Sequence, residues 1–357
     1  MPALPTVDVN LFVHNGAATV ATAIESVLAQ TWPALAITLI DDGSTDATPA
    51  ILHDYAKRYP AIRLARVRSN GGAIAAFQRG FWFGDADYVL PKSADDLIGP
   101  EFVEACVTEL LAYPDCAMCH AAGLVFVDEE EVRACYPPEH RLFAVGPDPA
   151  ARSRHVMARY TSSPSFWGVY RRAALDRVAP IRTRAGWDHV LLAELALAGE
   201  VRHVPDVLYW RRDGGKPVLT LARAATEQAR VGLPLDDTLA EQRWRTPLIT
   251  TAYAHQEMFA AARLPHRDRL AMMEAAAAIF RGRWLGELRR EAASLAADLP
   301  ARIAALGALG PVEARWHAQA LHAAIAAAAA IVPEIDLTMF ALELAARAGE
   351  PRHAAAA

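Results

Sequence analysis

Four apolar runs in the first ninety residues alternate with amphipathic stretches. Val7–Val13 (VDVNLFV) is β-rich and ends at the turn pair Asn15-Gly16. Residues 18–30 place Val20, Ile24, Val27 and Leu28 at helical spacing, and Trp32-Pro33 stops that helix. A second strand is expected over 35–40 (LAITLI), a helix over 48–59, a third strand over 62–67 and a helix over 73–83. The fourth strand, 87–90, runs into Pro91-Lys92-Ser93-Ala94-Asp95-Asp96. Strand and helix alternating with short connectors predict an α/β fold, a mainly parallel sheet flanked by helices.

Beyond a helix over 101–111 the pattern loosens. Strands are expected over 117–127 and 166–170, separated by a polar stretch rich in Arg, Pro and His. A helix over 186–198 carries Trp187-Asp188 in its first turn, and 207–210 (VLYW) is the last strand, closed by Arg211-Arg212-Asp213. From about residue 235 strand signals vanish. Alanine-rich helical segments over 245–263, 266–281, 284–297 and 311–332, punctuated by Pro265, Pro300, Pro311 and Pro333, predict an all-α C-terminal unit. The expected division is 1–234 and 235–357.

The chain of 357 residues is 53% apolar and 22% charged, the balance of a globular protein. Its net charge of -5 offers no basic field, so no nucleic-acid partner is expected. MPALPTVDVN lacks the charged and apolar regions of a signal peptide, and the longest apolar tract, 323–332, is about half of the ~20 residues a membrane span needs. The cytoplasm is the expected compartment. Cys116-Ala-Met-Cys119-His120 matches the haem pattern C-x-x-C-H but lies in an apolar strand, which favours reduced structural cysteines.

In a parallel sheet the ligand crevice lies beyond the carboxyl ends of the strands. Those ends carry His14-Asn15, Asp41-Asp42, Asn70-Gly71 and Ser93-Ala94-Asp95-Asp96. Asp95-Asp96 admits two readings, a helix-capping turn or a divalent cation that converts carboxylate repulsion into binding. Asp188 likewise suits the helix dipole as well as chemistry.

AIESVLAQTWPALAITLIDDGSTDAT, followed in order by SNGG and SADD, resembles the family 2 glycosyltransferases of GT-A fold over roughly residues 5–215. The resemblance implies inverting transfer of a sugar from a nucleotide sugar, usually with Mg2+ or Mn2+. It implies a nucleotide-sugar-binding half over 1–114 and an acceptor half over 115–234. By position Asp42 matches the acid that contacts the base, with Asp41 before it. His14-Asn15 stands where Tyr-Asn is usual, and Phe12 precedes it on the same strand. Asp95 matches the metal-binding acid and Asp188 the general base. Three residues depart from the pattern: Ser93 replaces the first acid of Asp-x-Asp, Phe77 stands where an arginine often follows Asn-Gly-Gly, and Asp213 replaces a histidine after the last strand. Arg79 lies near Phe77 but on a different helical face. Ser93 and Ala94 join the nucleotide-sugar set, and Asp213 offers a carboxylate oxygen suited to a hard cation.

The donor expected from these residues is a UDP-, GDP- or dTDP-sugar, and the acceptor a glycan, a lipid-linked acceptor or a peptide. Arg211 and Arg212 bring guanidinium forks suited to phosphates. The helical unit is free to dimerise the chain, to contact a membrane peripherally or to hold the acceptor. The other reading is a degenerate nucleotide-sugar binder or scaffold, for which Ser93 and Phe77 speak. A sugar-1-phosphate nucleotidyltransferase would open on a Gly-rich loop with Arg, which LFVHNGAAT lacks.

Overall fold

The computed structural model describes residues 4–68, 70, 72–127, 131–160, 165–181, 186–213 and 246–349. The chain falls into two compact units, one within Met1–Thr183 and Asp188–Leu219, the other within Arg184–Trp187 and Thr220–Ala357.

In the first unit β1 (Val7–Val13), α1 (Val20–Leu28), β2 (Leu35–Asp41), α2 (Thr48–Arg58), β3 (Arg63–Arg66), α3 (Gly72–Trp82) and β4 (Tyr88–Ser93) follow in order. Next come β5 (Leu97–Ile98), α4 (Phe102–Ala112), β6 (Cys116–Phe126), β7 (Val132–Cys135) and α5 (Pro149–Arg159). The unit ends with β8 (Gly168–Arg171), the short α6 (Arg172–Leu175), α7 (Trp187–Ala198) and β9 (Glu200–Arg212). Among the described residues these strands form one nine-stranded sheet, ordered β3-β2-β1-β4-β8-β6-β9-β5, with β7 paired to β6.

The first four strands are parallel, in the register Val13↔Asp41 and Phe12↔Ser93. Strand β8 inserts antiparallel between β4 and β6, and β9 runs parallel to β6. Two reversals restore the original direction, so β6 and β9 end on the same edge as β1, β2 and β4. The GT-A-like α/β class is thus observed, with a parallel half and a mixed half. Val7, Val9, Leu11, Leu39 and Leu90, on the strand faces that meet α1, α2 and α4, are fully or almost fully buried and form the core with Ile24, Leu52 and Phe102.

The polar stretch before β8 hides a helix. Asp148 caps α5 through Ala150 N–H (2.8 Å), with Pro149 in its first turn. Its polar residues are buried because α7 supplies acceptors: Arg152 Nε donates to Ala196 O (2.9 Å) and Ser153 Oγ to Ala193 O (2.8 Å). Strand β9 begins seven residues before the apolar run. Its charged start is paid for by Arg202, which meets Glu109 (2.8 Å) and Glu200 (2.7 Å). The register Ala121↔Val204, Ala122↔Val207 leaves Pro205 in a bulge, where its missing N–H costs no ladder bond.

The second unit is helical: Pro247–Ala261, His266–Ala305, Pro311–Ile331 and Thr338–Gly349. The separate segments expected over 266–281 and 284–297 are one helix in sequence, kinked at Trp284 (φ -138°, ψ 32°), and the helix continues through Pro300. Ile249, Phe280, Leu288, Leu299, Leu321 and Ile331 build its core. Glu291 accepts the N–H groups of Leu248 (3.1 Å) and Ile249 (3.0 Å), capping a helix whose own N-cap, Thr246, makes no side-chain cap. Burial raises the Glu291 carboxyl to about 7. No described helix is long and apolar enough to cross a membrane.

Candidate active site

The carboxyl edge of the sheet gathers residues from four strand ends. Past β1, His14 Nδ1 lies 3.0 Å from Asp42 O, and Asn15 takes a positive φ of 50°, which asparagine tolerates. From there Asn15 Oδ1 accepts Thr45 N–H (2.8 Å), and its own N–H donates to Ser44 Oγ (2.9 Å). These bonds pin the Asp41-Asp42-Gly43-Ser44 turn, in which Gly43 adopts φ 76°.

The two acids of that turn differ. Asp41 is buried, pairs with Arg66 (3.0 Å) and accepts Ser44 N–H (2.9 Å), so its carboxylate is spent on the turn. Asp42 is also buried and meets Arg79 Nη1 at 2.6 Å. The face assigned to Arg79 from helical spacing therefore understates its reach, because a long side chain on α3 still arrives at the rim. Phe77 instead packs on Phe12, with centroids 4.6 Å apart, and on Trp167 at 5.4 Å. Phe12 thus belongs to an aromatic wall. Asn70 Oδ1 accepts Gly72 N–H (2.7 Å) at the start of α3; Gly71 lies outside the described residues.

Past β4, Ser93 Oγ accepts Asp95 N–H (3.2 Å) and Ala94 is buried. Asp95 is exposed, and its carboxylate accepts the Thr19 hydroxyl (3.2 Å). Asp96 is turned inward, where it accepts the Tyr209 hydroxyl and Arg212 N–H (2.9 Å), and burial raises its carboxyl. It is a brace between β5 and β9. Beneath the loop Lys92 is almost wholly buried, its ammonium donating to Ser93 O (2.6 Å) and Asp96 O, and burial lowers it to about 8.

Past β9, Arg212 Nε donates to Asp95 O (3.1 Å), and its guanidinium lies 4.6 Å from the Phe126 ring centroid. Arg211 reaches the Tyr136 hydroxyl (3.1 Å). Asp213 pairs with Arg133, and its N–H donates to Phe126 O (2.6 Å).

Asp188, in the first turn of α7, accepts the Tyr160 hydroxyl at 2.7 Å. Burial raises its carboxyl above the usual range, against the Tyr160 bond, which lowers it. Burial, joined by the Asp188 charge, pushes the Tyr160 and Tyr170 hydroxyls well up. Tyr170 donates to Phe166 O, and Phe166 lies in the wall with Phe77 (5.4 Å) and Trp167 (5.3 Å). Trp167 is half-buried and stacks on Phe12 (6.2 Å) and Tyr209 (6.1 Å). This wall joins the surroundings of Asp188 to those of Asp42 and Asp96.

A divalent cation would find oxygen donors here, the set hard cations prefer. Asp95 offers an exposed carboxylate, and the carboxylate of Asp213 is paired with a guanidinium. No described group of three or more His, Cys, Asp and Glu residues is arranged to hold a metal. An ion of this kind would be held by the exposed Asp95 carboxylate and completed by phosphate oxygens.

The cysteines take no part in this rim. Cys106, Cys116 and Cys119 are buried free thiols, and burial pushes Cys116 up to about 12. His120 is core, its Nε2 3.0 Å from Leu142 O, and burial lowers it to about 4.

Residues 9–147 match the model of the family described as glycosyl transferase family 2. The chain carries a family 2 glycosyltransferase domain. It is 35% identical over 153 residues to the uncharacterized glycosyltransferase YibD of Escherichia coli K12, covering 42% of this chain and 44% of that protein. The chain thus spans less than half the length of that relative. The crystal structure of S. aureus TarS 1–349 superposes with a TM-score of 0.57 at 15% identity, covering 97% of this chain and 92% of that one. The same TarS fragment in complex with UDP-GlcNAc gives a TM-score of 0.51 at 14% identity, covering 80% and 90%. At such identity the likeness shows the GT-A fold alone.

Proposed function

We propose that this chain transfers a sugar from a nucleoside-diphosphate sugar to an acceptor hydroxyl, inverting the anomeric carbon, with Asp188 as general base. What supports the reading is one sheet edge on which His14, Asn15, Asp42, Ser93, Asp95, Arg211 and Arg212 converge, joined to Asp188 by the aromatic wall.

In this reading Asp42, held by Arg79, faces the base. Residues 12–15, 41–42, 70–71 and 93–94 form the nucleotide-sugar cradle. Arg211 and Arg212 donate to the diphosphate as negative charge grows on it. Asp95 and Asp213 are the carboxylates that would hold a divalent ion, which would supply Lewis-acid stabilisation of that leaving group. Asp188 takes the acceptor hydroxyl's proton. The freed oxygen attacks the anomeric carbon opposite the breaking bond to the diphosphate, so configuration inverts without a covalent enzyme intermediate. Burial raises the proton affinity of Asp188, while the Tyr160 hydroxyl holds one of its carboxylate oxygens in place.

Donor recognition is assigned to 1–114, acceptor recognition to 115–234 and an acceptor-holding or dimerising role to 235–357, in the cytoplasm. UDP-, GDP- and dTDP-sugars are all candidate donors. The test is transfer and hydrolysis with UDP-, GDP- and dTDP-sugars and Mn2+ or Mg2+. Asp188→Asn is expected to lower turnover by about 10²–10⁴-fold at unchanged fold. Unchanged turnover removes Asp188 from the mechanism, and no turnover with any donor favours the scaffold reading.

A further inference from the structure

Arg184–Trp187 groups with the helical unit, whereas Met1–Thr183 before it and Asp188–Leu219 after it group with the sheet unit. Gly186 and Trp187 are the described residues of that short stretch. Gly186 takes φ 63°, and it lies so close to Thr251 that a Cβ would stand 2.3 Å from Oγ1 and 2.4 Å from Cγ2. Thr251, buried in the first turn of the helix Pro247–Ala261, has little room to yield. Its hydroxyl donates to Pro247 O (2.7 Å), and the same turn is held by Glu291, which accepts Leu248 and Ile249 N–H. Gly186 therefore rests on a fixed point of the helical unit. Trp187 opens α7, and the next residue is Asp188, whose carboxylate accepts the Tyr160 hydroxyl at 2.7 Å.

We infer that the helical unit positions the general base: Thr251, through Gly186, fixes where α7 starts and so where the Asp188 carboxylate stands. The catalytic part rests on the glycosyltransferase reading above, in which Asp188 is the base; the hold at Gly186 does not. A general base has to meet its hydroxyl at about 2.6–3.2 Å, and a misplacement of about 1 Å can cost about 10²-fold in rate. The leading N–H groups of a helix have no partners within it, so its first turn is steadied from outside. Glycine serves twice at this point. It admits the positive φ, and it lets the backbone meet Thr251 with no side chain between. Gly186 and Thr251 are thus positioning residues that act through Asp188. The helical unit gains a part in catalysis that differs from holding an acceptor or dimerising, and that requires no ligand on it.

The test moves bulk across the contact. Gly186→Ala adds a methyl that meets Thr251, and Thr251→Ala removes Oγ1 and Cγ2, the two atoms met first. Amide hydrogen exchange is read at Val190, Leu191 and Leu192, whose acceptors within α7 are the carbonyls of residues 186–188. Gly186→Ala is expected to speed exchange there about tenfold and to lower turnover about 10–100-fold at unchanged donor KM. Adding Thr251→Ala returns both to within about threefold of wild type, a coupling that independent sites do not show. Wild-type exchange at these amides in folded Gly186→Ala overturns the proposal. So does a defect that Thr251→Ala fails to relieve, since Gly186 then matters only for its φ. Exchange that recovers while turnover does not breaks the link to Asp188. Thr251→Ala alone opens space beside Gly186 and should speed exchange about threefold. A wild-type rate in that variant overturns the proposal even if Gly186→Ala does not fold. If wild type turns over no UDP-, GDP- or dTDP-sugar while exchange behaves as expected, the glycosyltransferase reading falls and the hold stands, so the two fail separately.

Discussion

Asp8 and Asp95 stand at opposite edges of the same parallel strands. At the amino edge Asp8 is 1% exposed. It accepts Arg63 Nη2 (3.2 Å), Arg172 Nη2 (2.9 Å) and Ala86 N–H (2.9 Å). Gly84, at φ 87°, is pressed so close that a Cβ would lie 2.2 Å from Asp8 Oδ2. At the carboxyl edge Asp95 faces solvent with the Thr19 hydroxyl as its side-chain partner among the described residues. An ionised carboxylate has about four acceptor sites. Asp8 fills its share from within the fold, whereas Asp95 keeps most of them for something outside it. A buried acid completed by the chain is scaffold, and an acid left open at a strand end is where a ligand can be held.

That contrast can be broken by substitution. Asp8→Ala removes the carboxylate shared by Arg63 and Arg172 and strands the buried Ala86 N–H, and is expected to cost about 3–5 kcal/mol in urea unfolding. A wild-type midpoint would show that Asp8 is no scaffold. The next effect belongs to the active edge. Tyr160→Phe removes a hydrogen bond that favours the charged form of Asp188, so the acid limb of the turnover–pH profile should move to higher pH. With a bond to a charged group worth about 1.5–3 kcal/mol, the loss is largest near that limb and fades at alkaline pH. A profile that only scales down, with its limb in place, would assign Tyr160 to packing.

The helical unit offers a third comparison. Glu291 is a buried acid that accepts the backbone N–H groups of Leu248 and Ile249 where Asp8 accepts arginines, and burial raises its carboxyl from 4.5 to about 7. Its protonated form is the one the fold favours. The stability it lends is complete below 4.5 and is lost as pH rises through 7. Glu291→Gln should therefore match wild type near pH 4.5 and exceed it at pH 8 by on the order of 1 kcal/mol, read from thermal melts. The smallest effect is expected at Asp95. Asp95→Ala should leave stability within about 0.5 kcal/mol while weakening Mn2+ binding.

Much of this was legible in the residues, and unevenly so. Strand β1 appears at Val7–Val13 as its β-rich run predicts, and the carboxyl-edge clusters follow from parallel topology alone. Helix α5 was illegible because its buried Arg152 and Ser153 are satisfied by carbonyls of α7, forty residues away. The start of β9 was illegible for a similar reason, its charges being matched by Glu109 from α4. At the site, spacing could not tell Asp41, spent on Arg66, from Asp42, nor Asp96, a brace to Tyr209, from Asp95. Arg79 and Arg133 were missed because each reaches its acid by side-chain length, which leaves no motif. The Asp148-Pro149 pair could have signalled α5.

The most direct test of the account is a crystal soaked with UDP, GDP or dTDP together with Mn2+. The account predicts a diphosphate at the carboxyl edge between Asp95 and Arg211-Arg212, with the base beside Asp42 and the sugar position open toward Asp188. A nucleotide bound away from this edge, or one whose diphosphate leaves both Asp95 and the two arginines untouched, would contradict it.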